Sequence, residues 1–159
     1  MKTWLFTWNP SRWPWDDKYR GYKEMKNQIQ QVGSSFFTWS CGCNKSIQKG
    51  DRIFLIRLGV EPKGIIASGY AATGVFEGPH WDLEKEAADK KCRRIFIEFD
   101  KIQDPEHDDM IMMDRLKEIS SSYKWSSQAS GIEIPSHISD MEVRSIGAKR
   151  KGIVDIRVE

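Results

Sequence analysis

The sequence predicts an α+β domain built around a small, curved or barrel-like sheet of about six strands with flanking helices. Three observations carry that expectation. Short apolar runs, several with period-two alternation, recur along the chain, set apart by Gly, Pro, Asn and Asp. One of them, DRIFLIRLG at 51–59, is apolar on both faces at its centre, as in a strand enclosed by a barrel. Between the strands lie stretches with apolar residues at helical spacing.

Taken in order, TWLFTW alternates Trp4, Phe6 and Trp8 against Leu5 and Thr7, a strand stopped by Asn9-Pro10. YRGYKEMKNQIQQV carries Tyr22, Met25, Ile29 and Val32 at helical spacing, with Asp16 or Asp17 as its N-cap. SSFFTWS reads as a short strand. After a turn at Glu61-Pro62-Lys63-Gly64, GIIASGYAATGVF reads as one long strand, bent or bulged at Gly69 and Gly74. RRIFIEFD turns Ile95, Ile97 and Phe99 inward against Arg94, Phe96 and Glu98. MIMMDRLKEI is an amphipathic helix beginning near Asp108 or Asp109. WSSQASGIEI is a loop entering a short strand, PSHISDMEV starts as a helix, and GIVDIRVE closes as a strand. The division is one domain over 1–145, with the basic turn at 146–152 as its edge. Residues 146–159 then form a last strand or a linker toward an effector domain.

Composition bounds the function. No apolar run approaches the roughly 18–20 residues of a membrane helix. The N-terminal segment has neither a long apolar core nor a small-residue cleavage site, so it does not read as a signal peptide. Three cysteines make no disulfide framework and fit a reducing cytosol. A net charge of +2 is too mild to announce nucleic acid by itself. Its distribution says more. Basic clusters fall at Lys18/Arg20/Lys23/Lys26, Lys45/Lys49/Arg52, Lys90/Lys91/Arg93/Arg94 and Lys149/Arg150/Lys151, while acid gathers at 104–109. Such segregation can leave a basic face, although solvated surface is the simpler account of any one cluster.

Signals for metal or catalysis are weak. Cys41-Gly42-Cys43 lacks a second ligand pair at zinc spacing, since only Cys92 and the scattered His80, His107 and His137 remain. Asp51 with Glu61-Pro62-Lys63 superficially matches the D…E-x-K pattern of metal-dependent nucleases, but a hairpin turn explains Pro62 and Gly64 more simply. His80 is the best acid–base candidate, and a lone histidine beside Trp81 is more often structural. No catalytic residue, metal or cofactor is assigned, and the chain reads as a binding domain.

The seven tryptophans are unusual. Several stand at or beyond strand ends, where an exposed ring tends to mark a binding surface. Trp39-Ser40 and Trp81-Asp82 each set a flat ring beside a small hydrogen-bonding group, with Asn9 and 126–131 supplying more polar groups. An extruded nucleobase needs that chemistry: rings for its faces and polar groups for its edge. The plainer alternative is that these tryptophans pack minor cores.

In series, WLFTWNPSRWPW, WSCGCNKSIQKGDRIFLIRLG, GIIASG, PHWD and WSSQASGIEI resemble an EVE domain, the PUA-like fold whose relatives include the YTH readers of methylated RNA. The likeness spans about residues 3–143 in order. NP-x-x-W together with PHWD is most similar to the EVE domains of HNH-type endonucleases that cut modified DNA. The resemblance implies a pocket for a flipped modified base. Trp39 and Trp81 would be facing walls, Ser40 and Asn9 would contact the base edge, and Gln128 and Ser130 would lie along the same site. We add that Asp82 could accept from an exocyclic amine such as cytosine N4. Arg12, Trp13 or Trp15 would fill the gap left in the duplex, and Lys18, Lys45 and Lys49 would hold phosphates.

The implied partners are double-stranded DNA carrying 5-methylcytosine or 5-hydroxymethylcytosine and a fused nuclease domain, in a prokaryotic cytoplasm with no membrane role. Methylated RNA is the alternative ligand. Two rivals of other classes are a metal-dependent nuclease using Asp51, Glu61 and Lys63, and a sensor of a small planar ligand.

Overall fold

The computed structural model describes residues 1–16, 21–79, 84 and 91–139. The expectations for Asp17, Lys18, His80, Trp81, Asp82, Lys90, the 149–151 cluster and the closing strand lie outside the described residues.

The elements run β1 (Thr3–Trp8), α1 (Tyr22–Val32), β2 (Ser35–Ser40), β3 (Arg52–Arg57), β4 (Gly64–Ala71), β5 (Phe76–Pro79), β6 (Lys91–Ile102), β7 (Ile111–Met112), α2 (Met113–Ile119) and β8 (Ile132–Ile134). Among the described residues the strands make one mixed sheet of eight, six of them along the path β2-β6-β4-β3-β1-β8. Short β5 pairs with β6, and β7 with β4. β1 and β3 are parallel, from Thr3 opposite Arg52 to Trp8 opposite Arg57, and their neighbours are antiparallel. The chain is thus α+β, with helices flanking a curved, open sheet.

Two apolar clusters explain why β3 is buried on both faces. The inner one gathers Trp4, Phe6 and Trp8 with Ile53, Leu55, Ile95, Ile97 and Phe99, and takes Met25 from α1. The outer one covers Leu5, Phe54 and Ile56 with Leu116 and Ile119 of α2, Trp125 and Ile134. Each large side chain so enclosed contributes about 1.5–3 kcal/mol. Curvature comes from two irregularities, a register shift between Leu55 and Ile56 in β3 and another between Ser68 and Gly69 in β4. At the second, β4 and β6 approach so closely that a Cβ on Gly69 would sit 2.4 Å from the Glu98 carbonyl oxygen.

Several local expectations are corrected. Helix α1 begins one residue after Gly21, without a side-chain cap, so Asp16 does not cap it. Val32 is 69% exposed, off the buried face. The long strand after Gly64 breaks at Ala71 and resumes as β5. Helix α2 starts at Met113, later than Asp108 or Asp109, because that segment is committed elsewhere. The Asp108 carboxylate accepts the Asp104 amide at 2.7 Å, and Ile111–Met112 pairs with β4 before the helix begins. Arg52 is 1% exposed and belongs to no basic face. Its guanidinium donates to the Gly69 carbonyl at 2.9 Å and to Asp100 at 3.1 Å, between the Phe54 and Tyr70 rings. No helix among the described residues is long and apolar enough to cross a membrane.

Candidate functional site

The site arises where strand pairing runs out. β8 pairs with β1 only over Thr3–Leu5, so among the described residues Thr7 meets no strand on that side. Ser130 stands in for one: the Thr7 amide donates to its Oγ at 3.0 Å, and that hydroxyl lies 3.5 Å from the Thr7 carbonyl. The Thr7 hydroxyl donates to the Ser127 carbonyl at 2.9 Å. From across the sheet the Trp39 indole N–H of β2 donates to the Thr7 carbonyl at 3.2 Å. The curl of the sheet therefore brings β2, at one end of the path, against β1, next to the other end. Side chains bridge this seam, and an open pocket of about 220 Å³ lies along it. That is below the roughly 300–1,000 Å³ of drug-sized sites and suits a single planar ring.

Aromatic rings build one side of the pocket. Trp39 and Trp13 meet edge to face, centroids 5.2 Å apart at 87°. They form a corner, whereas a sandwich needs parallel plates. Trp39 is 7% exposed, so a ligand meets a limited strip of it, and Trp13 is half-buried. The Trp8 indole donates to the Trp13 carbonyl at 2.8 Å and holds the first loop against the core. Trp15 lies behind, 4.9 Å from Trp39 and 1% exposed. A wedge must reach solvent, so the wedge role expected for Trp15 is withdrawn; it is a core residue.

Polar groups surround the opening. The Asn9 carboxamide accepts from the Ser11 amide at 3.0 Å and the Ser11 hydroxyl at 2.6 Å through Oδ1. It lies flat against Gly59, whose φ of +82° only glycine adopts readily and where a Cβ would stand 2.4 Å from Asn9 Oδ1. That leaves the Asn9 NH₂ as a donor held in place by two other contacts. Gln128 is exposed at the pocket rim, and the Ser40 hydroxyl is approached by the Gly42 amide at 3.5 Å. Two guanidinium groups, Arg12 and Arg94, line the pocket, and no carboxylate is among the described lining residues. Arg94 is aimed by Thr38, to whose hydroxyl it donates at 3.0 and 3.3 Å. The site is electropositive, which favours an anionic or electron-rich ligand.

Seven sequence-nominated residues thus meet in one place: Asn9, Arg12, Trp13, Trp39, Ser40, Gln128 and Ser130. Ser130 braces β1, its hydroxyl already engaged with Thr7. Lys45 and Lys49 are exposed on the loop before β3, away from the pocket lining. Trp81, Asp82 and Lys18 lie outside the described residues. Arg94 and Thr38 were missed because an arginine alternating with buried isoleucines on a strand reads as ordinary solvated surface.

The structure also places the residues of two other readings. Asp51 sits at the start of β3, accepting from the Trp4 indole at 2.9 Å, the Gln48 amide at 3.0 Å and the Lys2 amide at 3.2 Å. Glu61 and Lys63 lie on the turn beyond the other end of that six-residue strand, roughly 20 Å away at 3.3 Å per residue. One metal ion cannot be shared across that span, so the Asp51/Glu61/Lys63 nuclease site is overturned. Cys41 is fully buried, which pushes its thiol up to about 11, away from the thiolate that metal or redox chemistry uses. Its carbonyl accepts the Asn44 amide at 3.1 Å, and the Asn44 side chain donates to the Gly131 carbonyl at 2.7 Å. The C-x-C turn therefore ties the end of β2 to the loop that carries Gln128 and Ser130.

The fold and this seam define the chain as an α+β protein of PUA-like fold with a ring-sized, basic pocket. It matches no family model and no curated protein by sequence. By structure it is similar to a protein from Leishmania major, with a TM-score of 0.67, 10% identity, and coverage of 95% of this chain and 98% of that one. It is similar to human THYN1, solved in complex with DNA containing 5-methylcytosine, at a TM-score of 0.60 and 14% identity over 89% and 95% of the chains. It is also similar to the ASCH protein of Zymomonas mobilis, at a TM-score of 0.52 and 16% identity over 90% and 94%. At these identities the likeness is one of fold.

Proposed function

We propose that the chain reads modified DNA by receiving a flipped 5-methylcytosine or 5-hydroxymethylcytosine in the seam pocket. The observation that carries this reading is convergence. Residues from the first loop, from β2 and from the loop before β8 meet in one ring-sized, electropositive pocket walled by tryptophan. A protein of similar fold binding 5-methylcytosine DNA supports the choice of ligand.

In this reading the base stacks in the corner of Trp39 and Trp13, and the Asn9 NH₂ and Gln128 meet its polar edge. Trp81 would add the facing wall, and Asp82 would accept from cytosine N4. Flipping costs a few kcal/mol and each aromatic contact returns about 1–3 kcal/mol. Arg12, exposed on the first loop, is the better candidate to fill the gap in the duplex. The protein acts as a binding domain of EVE type within a modification-dependent restriction system, and strand cleavage belongs to a fused nuclease.

The test is binding of matched duplexes with and without the modified base. Wild type should prefer the modified duplex by about tenfold, the 1.4 kcal/mol scale of one methyl contact. Asn9→Asp keeps the acceptor used by Ser11 but removes the NH₂ donor that holds either base in the pocket; with no base captured the methyl contact is not made, so the preference should be lost. Equal affinity of wild type for both duplexes would sink the reading. A stronger preference for methylated RNA oligonucleotides would move it to RNA.

A further inference from the structure

Beside the base pocket runs a second groove of about 420 Å³ that the sequence does not announce. Three lysines from three separate segments line it: Lys63 on the turn before β4, Lys117 on α2 and Lys124 on the loop beyond. No carboxylate is among its described lining residues, and the hydroxyl side chains of Ser121, Tyr123 and Ser126 lie along it. Glu61 lies 3.8 Å from Lys63, in a pair exposed enough to be worth little. Two of the lysines, Lys63 and Lys117, are held in relation by a backbone bond. The Met113 amide donates to the Lys63 carbonyl at 3.1 Å, fixing the start of α2 on the turn, and Lys117 follows one helical turn later.

The groove is continuous with the seam. Gln128 lines both, and Gly59, which backs Asn9 in the pocket, is also a wall of the groove. Leu58 on the groove side donates its amide to the Trp8 carbonyl on the pocket side at 2.9 Å.

We propose that this lysine groove holds backbone phosphates of the DNA strand next to the flipped nucleotide, with Gln128 on the ridge between base and backbone. The assignment rests on the modified-DNA reading of the seam pocket. Three ammonium groups in a groove whose described lining has no carboxylate, opening onto a base-sized pocket, fit consecutive phosphodiesters of one strand. Lysine supplies point charges that hold phosphate without reading sequence.

The test measures affinity for plain and modified duplexes across salt concentration, using the 159-residue chain. Each phosphate contact adds about 0.9 to the slope of log K against log salt, so Lys63→Gln/Lys117→Gln/Lys124→Gln should lower the slope by about 2.7. At low salt it should weaken both duplexes equally, on the order of tenfold or more, leaving the modified-to-plain ratio unchanged. Each single change should remove about a third of the slope effect. Lys45→Gln/Lys49→Gln should change the slope less than the triple variant does. The proposal is overturned if the triple variant keeps wild-type slope and affinity, or if the control pair costs as much. It is also overturned if inorganic triphosphate binds in a lysine-dependent manner while DNA affinity does not respond. Should wild type bind plain and modified duplexes equally and the triple variant still lose its slope, the groove stands and the base reading alone falls.

Discussion

At Gly59 one missing carbon determines where a binding group points. The Asn9 carboxamide occupies the space a Cβ would fill, and the backbone there has φ +82°. Gly59→Ala should therefore cost about 1–3 kcal/mol from backbone strain and displace Asn9. Thermal denaturation should show the lower midpoint, and binding should show a reduced modified-to-plain ratio. The two tryptophans Trp13 and Trp15 make the contrast of this scale. They stand two residues apart in the same Pro-flanked stretch, yet one lines the pocket and the other is sealed behind Trp39. Nothing local separates them, because burial is decided by what the loop folds onto. Arg52 and Arg94 diverge in the same way, one enclosed between rings and paired with Asp100, the other aimed by Thr38 at the pocket.

Among the elements, β1 and β4 decide the site. The edge of β1 beyond Leu5 is completed by Ser130 instead of a strand. Ser130→Ala should cost about 1 kcal/mol, since the Thr7 amide loses its acceptor in a half-buried place. Urea denaturation would register the loss, and amide exchange at Thr7 should accelerate more than at Leu5. In β4 the close approach at Gly69 admits no side chain, so Gly69→Ala should destabilise by about 1–3 kcal/mol, read by the same denaturation. The strand alternations of Trp4/Phe6/Trp8 and Ile95/Ile97/Phe99 were legible because a half-buried strand writes its period into the chain. The break between β4 and β5, and the late start of α2, were not. Both depend on partners far away, β6 for the first and β4 for the second.

The whole molecule should be sensitive to acid in a defined direction. Burial raises the carboxyls of Asp51, Asp104 and Asp108, but hydrogen bonds from Gln48 and Trp4, from Glu106 and His107, and from Asp104 and Lys26 outweigh it. All three end below the ordinary 3.8. A depressed folded value gives stability that is complete above the unfolded value and lost as pH falls through the folded one. Urea midpoints should thus hold near neutrality and fall steeply below about pH 4. Asp51→Asn should be less stable at neutral pH and lose less on acidification. Because Asp108 pairs with Lys26, acid should also loosen α1 from the 104–108 loop.

What the sequence determined by itself was local and periodic: the strands, the two-faced burial of β3, and a set of tryptophan, amide and arginine residues suited to a flat ring. The spacing of Cys41-Gly42-Cys43, with no second ligand pair near it along the chain, was local in the same way. Only the tertiary structure decided which of those residues share a pocket. That pocket exists because β8 stops pairing at Leu5 while β2 curls round to reach Thr7, a matter of register and sheet curvature among segments 32 and 123 residues apart. The lysine groove is of the same kind. Lys63, Lys117 and Lys124 carry no common signature along the chain, and they become one surface only when α2 docks its first turn on the Lys63 carbonyl. Periodicity reports what each segment does with its own neighbours; a site is made of side chains whose meeting is set by the packing of distant segments.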